Sequence, residues 1–581
     1  CRAMLSTHMQ TEPSPETVAL ASRMRAVAPP RRRKTPTPPA ALSLAALLDG
    51  PLLGRTAELS TLIKLYHAAQ HGQAQAVLLE GEMGIGKTRL ASEFLAWAEI
   101  EGADVLQGQA FDSGGQLPYR PVVEALRPRI ERENAPDDLL SDTWLAELAR
   151  LLPEVGDRYP DLLAGTAQYS VARHRLFEAV VRLGQALAER APLVFFIDDV
   201  QWADVGSLDL LHYLARRFAE SQIPAFLLLT LRLEEREMRP ALAEWRTGME
   251  RAVPLIRLPL GPLALEDVLR LLRVVEGGGK PAADLERFGQ WVFVETEGQP
   301  FYLMETLKVL LERGILAAHP KEEGGWAIDF TTAMEHETVV RGFFPPSVRE
   351  VIRARLDRLM PNALALLVAG TVLGQASTFE HLCQVADLAE QDGLSALDEV
   401  LHSGLLQESE PEEGGAEQHL APGRYVFAHA QIRAVVSAEA GEARRSIFHR
   451  RALQALQATS APAAELAYHA LAAGLAEPAF HWSLAAGDEA LRVAAVHSAI
   501  AFYEQAQQLL AERVQGHELE VLLPSSQVEQ LYTQLGRAYE RNAEWEKARA
   551  AYTLLLTYAQ DASLPVMERT ALTRLATLAP Q

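Results

Sequence analysis

The sequence predicts a multidomain chain of class α/β plus α, with a parallel-sheet domain first and a helical array last. Three observations carry that prediction. Between Leu52 and Leu260, short apolar runs alternate with helical stretches, which is how buried parallel strands with crossover helices read. A mixed segment comes next, mostly helical but with one strand-like pair. Beyond residue 460 the chain is Ala-rich, with helical periodicity and no strand pattern. The 581 residues leave room for about four domains at roughly 150 residues each.

Composition narrows the class. Hydrophobic residues make up 48% and charged residues 23%, enough apolar material for several cores. The net charge of −21 argues against a surface that coats nucleic acid throughout, because phosphate binding needs clustered cations; a local basic module stays open. No uninterrupted apolar run reaches the roughly 18 residues of a membrane span. The two cysteines, Cys1 and Cys383, suggest no disulfide framework or cysteine zinc site, and a reducing cytoplasm fits. The chain opens on Cys1-Arg2-Ala3, with no initiator Met or signal pattern, and reads as cut from something longer at both ends.

Taken in order, residues 1–28 read as helical with a break at Pro13-Ser14-Pro15. Residues 29–50 form a linker that begins Pro-rich and basic (Pro29-Pro30-Arg31-Arg32-Arg33-Lys34); prolines and like charges favour extended chain. Its cations could touch phosphate, although a solvated linker is the favoured reading. Residues 51–262 hold the expected strands Ala76–Glu80, Asp104–Leu106, Leu193–Ile197, Ala225–Leu229 and Leu255–Leu258. The long interval 112–170, with Trp144–Leu152, is expected to carry its own helices. Residues 263–340 read as mostly helical. Residues 341–458 mix helices with a β-hairpin around the acidic stretch Glu408–Glu417 and the strand Arg424–Phe427. In 459–581, Tyr532, Leu535, Gly536, Tyr539, Ala548 and Tyr552 match tetratricopeptide spacing, and Ala499, Tyr503 and Ala506 repeat its second half. Tyr503 and Tyr552 stand 49 residues apart rather than the regular ~34, so the repeats are irregular or carry an insertion.

The chemistry is densest at Gly81-Glu82-Met83-Gly84-Ile85-Gly86-Lys87-Thr88, which fits G-x-x-x-x-G-K-[ST] between a strand and the helix opening at Arg89. Glycines let successive backbone N–H groups point at a phosphate, and the helix start adds partial positive charge. Gly81, Gly84, Ile85, Gly86, Lys87, Thr88 and Arg89 are therefore the expected nucleotide-binding residues here. Lys87 would reach the β- and γ-phosphates, and the Thr88 hydroxyl would join a Mg²⁺ shell. The strand Leu193–Ile197 ends in Asp198-Asp199. Asp198 would hold the metal through water, while Asp199 would either polarise the attacking water or join the metal shell. Arg232, ending the next strand, would meet the γ-phosphate or simply lie on the surface. Lys87, Asp199 and Arg232 are the expected catalytic residues.

Four motifs in order, Leu53-Gly54-Arg55-Thr56-Ala57-Glu58-Leu59, the phosphate loop, Asp198-Asp199-Val200-Gln201-Trp202-Ala203-Asp204 and Thr230-x-Arg232, resemble the signal-transduction ATPases with numerous domains (STAND). The similarity covers roughly 50–455 and is nearest to the branch found in large bacterial LuxR-type and SARP-type transcription regulators, which shares Gln-Trp-Ala-Asp. The resemblance implies a P-loop NTPase parallel sheet (51–262), a helical lid (263–340), a winged helix (341–458) and a TPR-like α-solenoid (459–581). It implies that Arg55 borders adenine and ribose, and that Thr230 and Arg232 sense the γ-phosphate. It further implies that Pro300 of Gly298-Gln299-Pro300 packs on the base, and that His429 of Phe427-Ala428-His429 reaches the ADP β-phosphate, a role suited to its neutral-to-cationic range. ATP/ADP as ligand, rather than GTP, rests on this resemblance. Asp199 stands where strongly hydrolytic relatives carry a Glu, which favours a slow switch. Leu5–Thr17 is similar to the end of a bacterial transcriptional activation domain, implying a DNA-binding domain upstream.

These readings imply an ATP/ADP-dependent switch that assembles with itself, takes an inducer or protein on its C-terminal repeats, and meets DNA only through a domain outside this chain, with no membrane contact. Two alternatives stay open: an ATPase of another class, such as a replication-loader relative or motor, and a scaffold whose nucleotide is a structural plug. A DNA-binding role for the winged helix is disfavoured, because its region is not notably basic.

Overall fold

The computed structural model describes residues 52–111, 117–133, 139–162, 169–233, 240–276, 283–312, 316–320, 326–329, 347–374, 377–409, 423–459, 461–515 and 524–578. Residues Cys1–Leu44 separate from Ala45–Gln581, and every described residue belongs to the second unit. The expected N-terminal helices (1–28) and linker (29–50) lie outside the described residues, as does most of the acidic stretch Glu408–Glu417.

All five strands expected in the first domain form, each within a few residues of its expected bounds: β1 (Gln75–Gly81), β2 (Asp104–Gln109), β3 (Leu193–Asp198), β4 (Ala225–Arg232) and β5 (Leu255–Pro259). They make one sheet in the order β2-β3-β4-β1-β5, parallel throughout. Strand alternation explains why whole runs are apolar. On one face, Val77, Leu79, Phe196 and Leu228 pack with Tyr66 of α1 (Thr56–Gln70) and Phe94 of α2 (Lys87–Ile100). On the other face, Leu78, Phe195, Ile197, Leu227 and Leu229 meet a second core. The interval expected to carry its own helices supplies α3 (Arg120–Arg132), α4 (Asp142–Leu148), α5 (Pro153–Arg158) and α6 (Tyr169–Ala188). Helices α7 (Val205–Glu220) and α8 (Pro240–Ala252) complete the domain. Sheet and helices thus form the α/β part of the fold class.

Helices α9 (Leu265–Glu276), α10 (Ala283–Thr296) and α11 (Pro300–Glu312) close a separate small core around Leu272, Phe288 and Leu303. The reading of 263–340 as mostly helical misses one pair: β6 (Ala317–Pro320) runs antiparallel to β7 (Trp326–Asp329). Next come α12 (Val348–Leu356), α13 (Pro361–Leu373), the short β8 (Ser377–Thr378), α14 (Phe379–Ala386) and α15 (Glu390–His402). The expected hairpin is there: β9 (Leu406–Ser409) pairs antiparallel with β10 (Arg424–Phe427), and β8 adds to the other side of β10. Helices α16 (Ala430–Glu439) and α17 (Glu442–Gln457) come after it.

The C-terminal array consists of α18 (Ala463–Ala472), α19 (Ala476–Arg492), α20 (Val496–Gln515), α21 (Ser525–Arg541), α22 (Trp545–Asp561) and α23 (Pro565–Thr577). Its periodicity has a steric basis. A Cβ on Gly536 would lie 2.3 Å from the Tyr552 ring, and one on Gly487 would lie 2.3 Å from the Tyr503 ring. Gly487, which the repeat pattern did not include, is the counterpart of Gly536. Among the described residues, no helix is long and apolar enough to cross a membrane.

Candidate functional site

The phosphate-loop motif sits where β1 ends and α2 begins. Gly84 and Gly86 take φ of 81° and 99°, a region that side chains disfavour. Nothing stands within 4 Å of where a Cβ on Gly86 would be, whereas one on Gly84 would lie 2.9 Å from Phe301 and 3.2 Å from the Gln431 amide. The Lys87 ammonium donates to the carbonyls of Gly81 (2.8 Å) and Glu82 (2.9 Å), so its charge is held at the loop. Ile85 is buried in the core beside α2. Arg89 points outward and pairs with Glu93 one turn along the helix (3.5 Å).

Asp198 and Asp199 part ways at the end of β3. The Thr88 hydroxyl donates to Asp198 Oδ2 at 3.0 Å, and the Thr230 hydroxyl donates to Asp198 Oδ1. Burial, and then the neighbouring Asp199 charge, push the Asp198 carboxyl above the usual range, while those hydroxyls oppose the shift. Asp199 turns through a left-handed backbone conformation (φ 55°), sparsely populated for a residue with a side chain. Its carboxylate faces Arg232, which donates from Nε at 2.8 Å and from Nη2. Gln201 Nε2 adds a third bond to Asp199 Oδ1 (2.9 Å), and Gln201 Oε1 accepts the Arg232 backbone N–H at 3.2 Å. Thr230, fully buried, also accepts the Asp199 N–H at 2.7 Å. The expected catalytic residues are thus gathered at the ends of β1, β3 and β4, with Arg232 neutralised by Asp199.

An oxygen-only pair, a buried carboxylate beside a threonine hydroxyl, fits a hard divalent cation such as Mg²⁺. Among the described residues, no group of three His, Cys, Asp or Glu could hold a metal by itself, so such an ion would also draw ligands from phosphate and water.

Three further expected residues lie around the loop. Arg55 is buried, and its guanidinium donates to the carbonyls of Ile85 (3.1 Å) and Gly261 and to Glu58 (3.2 Å). Buried donors need acceptors, and these ones make Arg55 a brace between the loop and the turn that leads to α9. Pro300 opens α11; next to it the Phe301 N–H donates to the Gly84 carbonyl at 3.3 Å. His429 caps α16 by accepting the Gln431 N–H on Nδ1, and its ring stacks on Phe301 with centroids 3.8 Å apart. Burial lowers its pKa to about 4; the Glu305 carboxylate opposes the shift, and the Arg232 and Lys308 charges add to it. His429 is therefore a neutral imidazole at pH 7, on the uncharged side of the expected range.

Sequence reasoning passed over four contacts. Gln299 Nε2 donates to Glu82 (3.0 Å) and Gln431 Nε2 to the Met83 carbonyl (3.3 Å). Phe301 covers Gly84, and Gln201 bridges the Asp199–Arg232 pair. Each lies inside or beside a motif that was noted, but amide and aromatic side chains carry no spacing signal of their own.

The loop, the Asp pair and the sheet order converge with one comparison. Residues 51–229 match the family of the AAA ATPase domain. The likeness to AAA ATPase domains is confined to that stretch. A curated relative, an uncharacterized protein of Rhizobium meliloti (strain 1021), is 26% identical over 513 residues, covering 82% of this chain and 44% of the relative. The chain thus spans less than half the length of that relative. Among solved structures, a STAND protein with a tetratricopeptide repeat sensor from Pyrococcus horikoshii aligns at 13% identity over 91% of this chain and 74% of that chain, with a TM-score of 0.36. The Aeropyrum pernix Orc1 protein in complex with DNA aligns at 16% identity over 68% of this chain and 94% of that one, with a TM-score of 0.29.

Proposed function

We propose that this chain is the ATP- and ADP-controlled switch of a larger bacterial transcription regulator, with slow hydrolysis and nucleotide-dependent self-assembly. On this reading 51–262 is the ATPase domain, 263–340 the lid, 341–458 a winged helix and 459–581 tetratricopeptide-like repeats that take the signal. DNA is reached only through a domain outside the chain, and the protein works in the cytoplasm.

One observation carries the proposal. Two elements distant in sequence meet one stretch of the loop: Phe301 at the start of α11 lies against Gly84, and Gln431 at the start of α16 lies against Gly84 and donates to the Met83 carbonyl. Whatever moves the loop must therefore move both. Lys87 would leave its carbonyl acceptors for the β- and γ-phosphates, and Thr88 and Asp198 would hold Mg²⁺. Bound there, Mg²⁺ would offset phosphate charge. The Asp199–Arg232 pair supplies the discrimination. A γ-phosphate competes with the Asp199 carboxylate for the guanidinium, and ADP offers no such competitor. A ligand shifts an equilibrium only through such a difference between states. The pair would also slow turnover: Asp199 can polarise water only after Arg232 has left it, and Gln201 keeps a bond to the same carboxylate.

The test is the nucleotide released on denaturing the purified protein. ADP is expected, with ATP turnover below about 0.01 per second, the range of unassisted switch NTPases. No nucleotide bound or bindable, or fast turnover by an unregulated monomer, would sink the proposal.

A further inference from the structure

Both polar ends of the tetrapeptide Gln201-Trp202-Ala203-Asp204 are buried (2% and 3% exposed) and hydrogen-bonded within the protein. The Gln201 amide uses both of its faces: Nε2 donates to the Asp199 carboxylate and Oε1 accepts the Arg232 backbone N–H. It thereby fixes the ends of β3 and β4 against each other. A short 3₁₀ turn, Val200–Trp202, connects it to Asp204. Asp204 caps α7 by accepting the Ser207 N–H at 3.0 Å, and its other oxygen accepts the Tyr119 N–H at 3.1 Å.

Tyr119 leads from there to the helical array. It is fully buried and held at φ 60°. Its ring lies against Gly206 in the first turn of α7, where a Cβ would come within 2.9 Å of it. Its hydroxyl donates to the Ala494 carbonyl at 3.4 Å. Ala494, itself at φ 59°, forms the tight turn between α19 and α20. A cleft of about 60 Å³ lined by Tyr119, Gly206 and Ala494–Ser498 lies at the same junction. A second tether, from Arg150 to the Arg492 carbonyl (2.6 Å), is made by a residue that bonds to neither the Asp pair nor the tetrapeptide.

We infer that Gln201, Asp204 and Tyr119 are positioning residues that connect the Asp199–Arg232 pair to the Ala494 turn, so that the nucleotide in the site and the seating of the repeats report on each other. The inference rests on the switch reading above and deepens it. When Arg232 turns from Asp199 to a γ-phosphate, Gln201 becomes the remaining side-chain donor on that carboxylate. Only Trp202 and Ala203 separate it from Asp204, so a shift at Gln201 passes to the α7 cap and to Tyr119. Coupling of this kind is reciprocal: a ligand on the repeats would change the preference between ADP and ATP by the same factor.

The experiment uses the whole chain with Mg²⁺ and either ADP or ATPγS, reading both affinities and hydrogen exchange of the amides at 490–500. The unsubstituted chain should show at least about a fivefold difference in exchange between the two nucleotides. Tyr119→Phe, which removes one oxygen atom, should abolish that difference while keeping ADP affinity within about twofold. Gln201→Ala should lower the ratio of ATPγS to ADP affinity about fivefold, whereas loss of fold alone would weaken both nucleotides together. Arg150→Ala should raise exchange equally in both states. A chain that binds both nucleotides with identical exchange at 490–500, or a Tyr119→Phe variant that keeps the full difference, would overturn the coupling and leave the switch standing. A chain that binds neither nucleotide would overturn both.

Discussion

Glycine does opposite work at the two ends of this molecule. In the phosphate loop, Gly84 and Gly86 supply backbone angles (φ 81° and 99°), and around Gly86 there is open space. In the helical array, Gly487 and Gly536 sit inside α19 and α21, where the helix needs no special angle but a Tyr ring leaves no room for a Cβ. The first region is organised by polar groups around a backbone turn, and the second by close contact. The same residue type therefore predicts different failures in each.

The sharpest test of that contrast is Lys87→Ala. It removes the loop's ammonium, which in the array region nothing depends on. Nucleotide affinity measured by calorimetry should fall by at least about 100-fold, in keeping with the weight of charge-assisted contacts to phosphate, while the unfolding of α18–α23 stays put. Next comes Gly536→Ala. Overlap with Tyr552 should cost about 1–3 kcal/mol in the denaturant transition of the array. Tyr552→Leu in the same chain should recover part of the loss, because neighbouring sites couple. Gly86→Ala should cost about 1–2 kcal/mol through its left-handed angle, and no neighbouring substitution should rescue it. If a neighbour did rescue Gly86→Ala, or none rescued Gly536→Ala, the contrast would break.

A further effect is expected on acid stability, and it touches both regions. Burial lowers the pKa of His429 to about 4 beside the loop. At the root of the array, His449 and His469, whose Nδ1 atoms lie 2.9 Å apart, are lowered to about 4 and about 3. A base with a depressed folded pKa binds fewer protons folded than unfolded, so stability falls as pH drops below the unfolded value near 6.5 and keeps falling towards 4. His429→Phe should flatten the acid arm for the loop side, and His469→Phe for the array, in melts taken between pH 7 and 4.5. An acid arm unchanged by either variant would show that these imidazoles are accessible to protons in the folded chain.

Much of the fold was legible because it is written locally. Runs such as Leu193–Ile197 are apolar at every position only if both faces are covered, and helices do cover both. The loop motif and the Asp198-Asp199 ending announce phosphate and metal chemistry by residue type and spacing alone. The antiparallel pair β6–β7 was missed because its strands are four residues long, too short for alternation to stand out inside a helical region. Arg55 illustrates a different limit: the sequence marked it as important, but its acceptors, the Ile85 and Gly261 carbonyls, lie 30 and 206 residues away.

By itself, then, the sequence determined the α/β sheet, the phosphate loop, the carboxylate pair and the helical character of the C-terminal array, since each depends on the periodicity or spacing of neighbours along the chain. Only the tertiary structure decided that Asp198 faces Thr88 while Asp199 faces Arg232, that Phe301 and Gln431 meet on one loop, and that Tyr119 ends at Ala494. Those contacts join residues tens to hundreds of positions apart, and their geometry is set by how the packed elements close on one another.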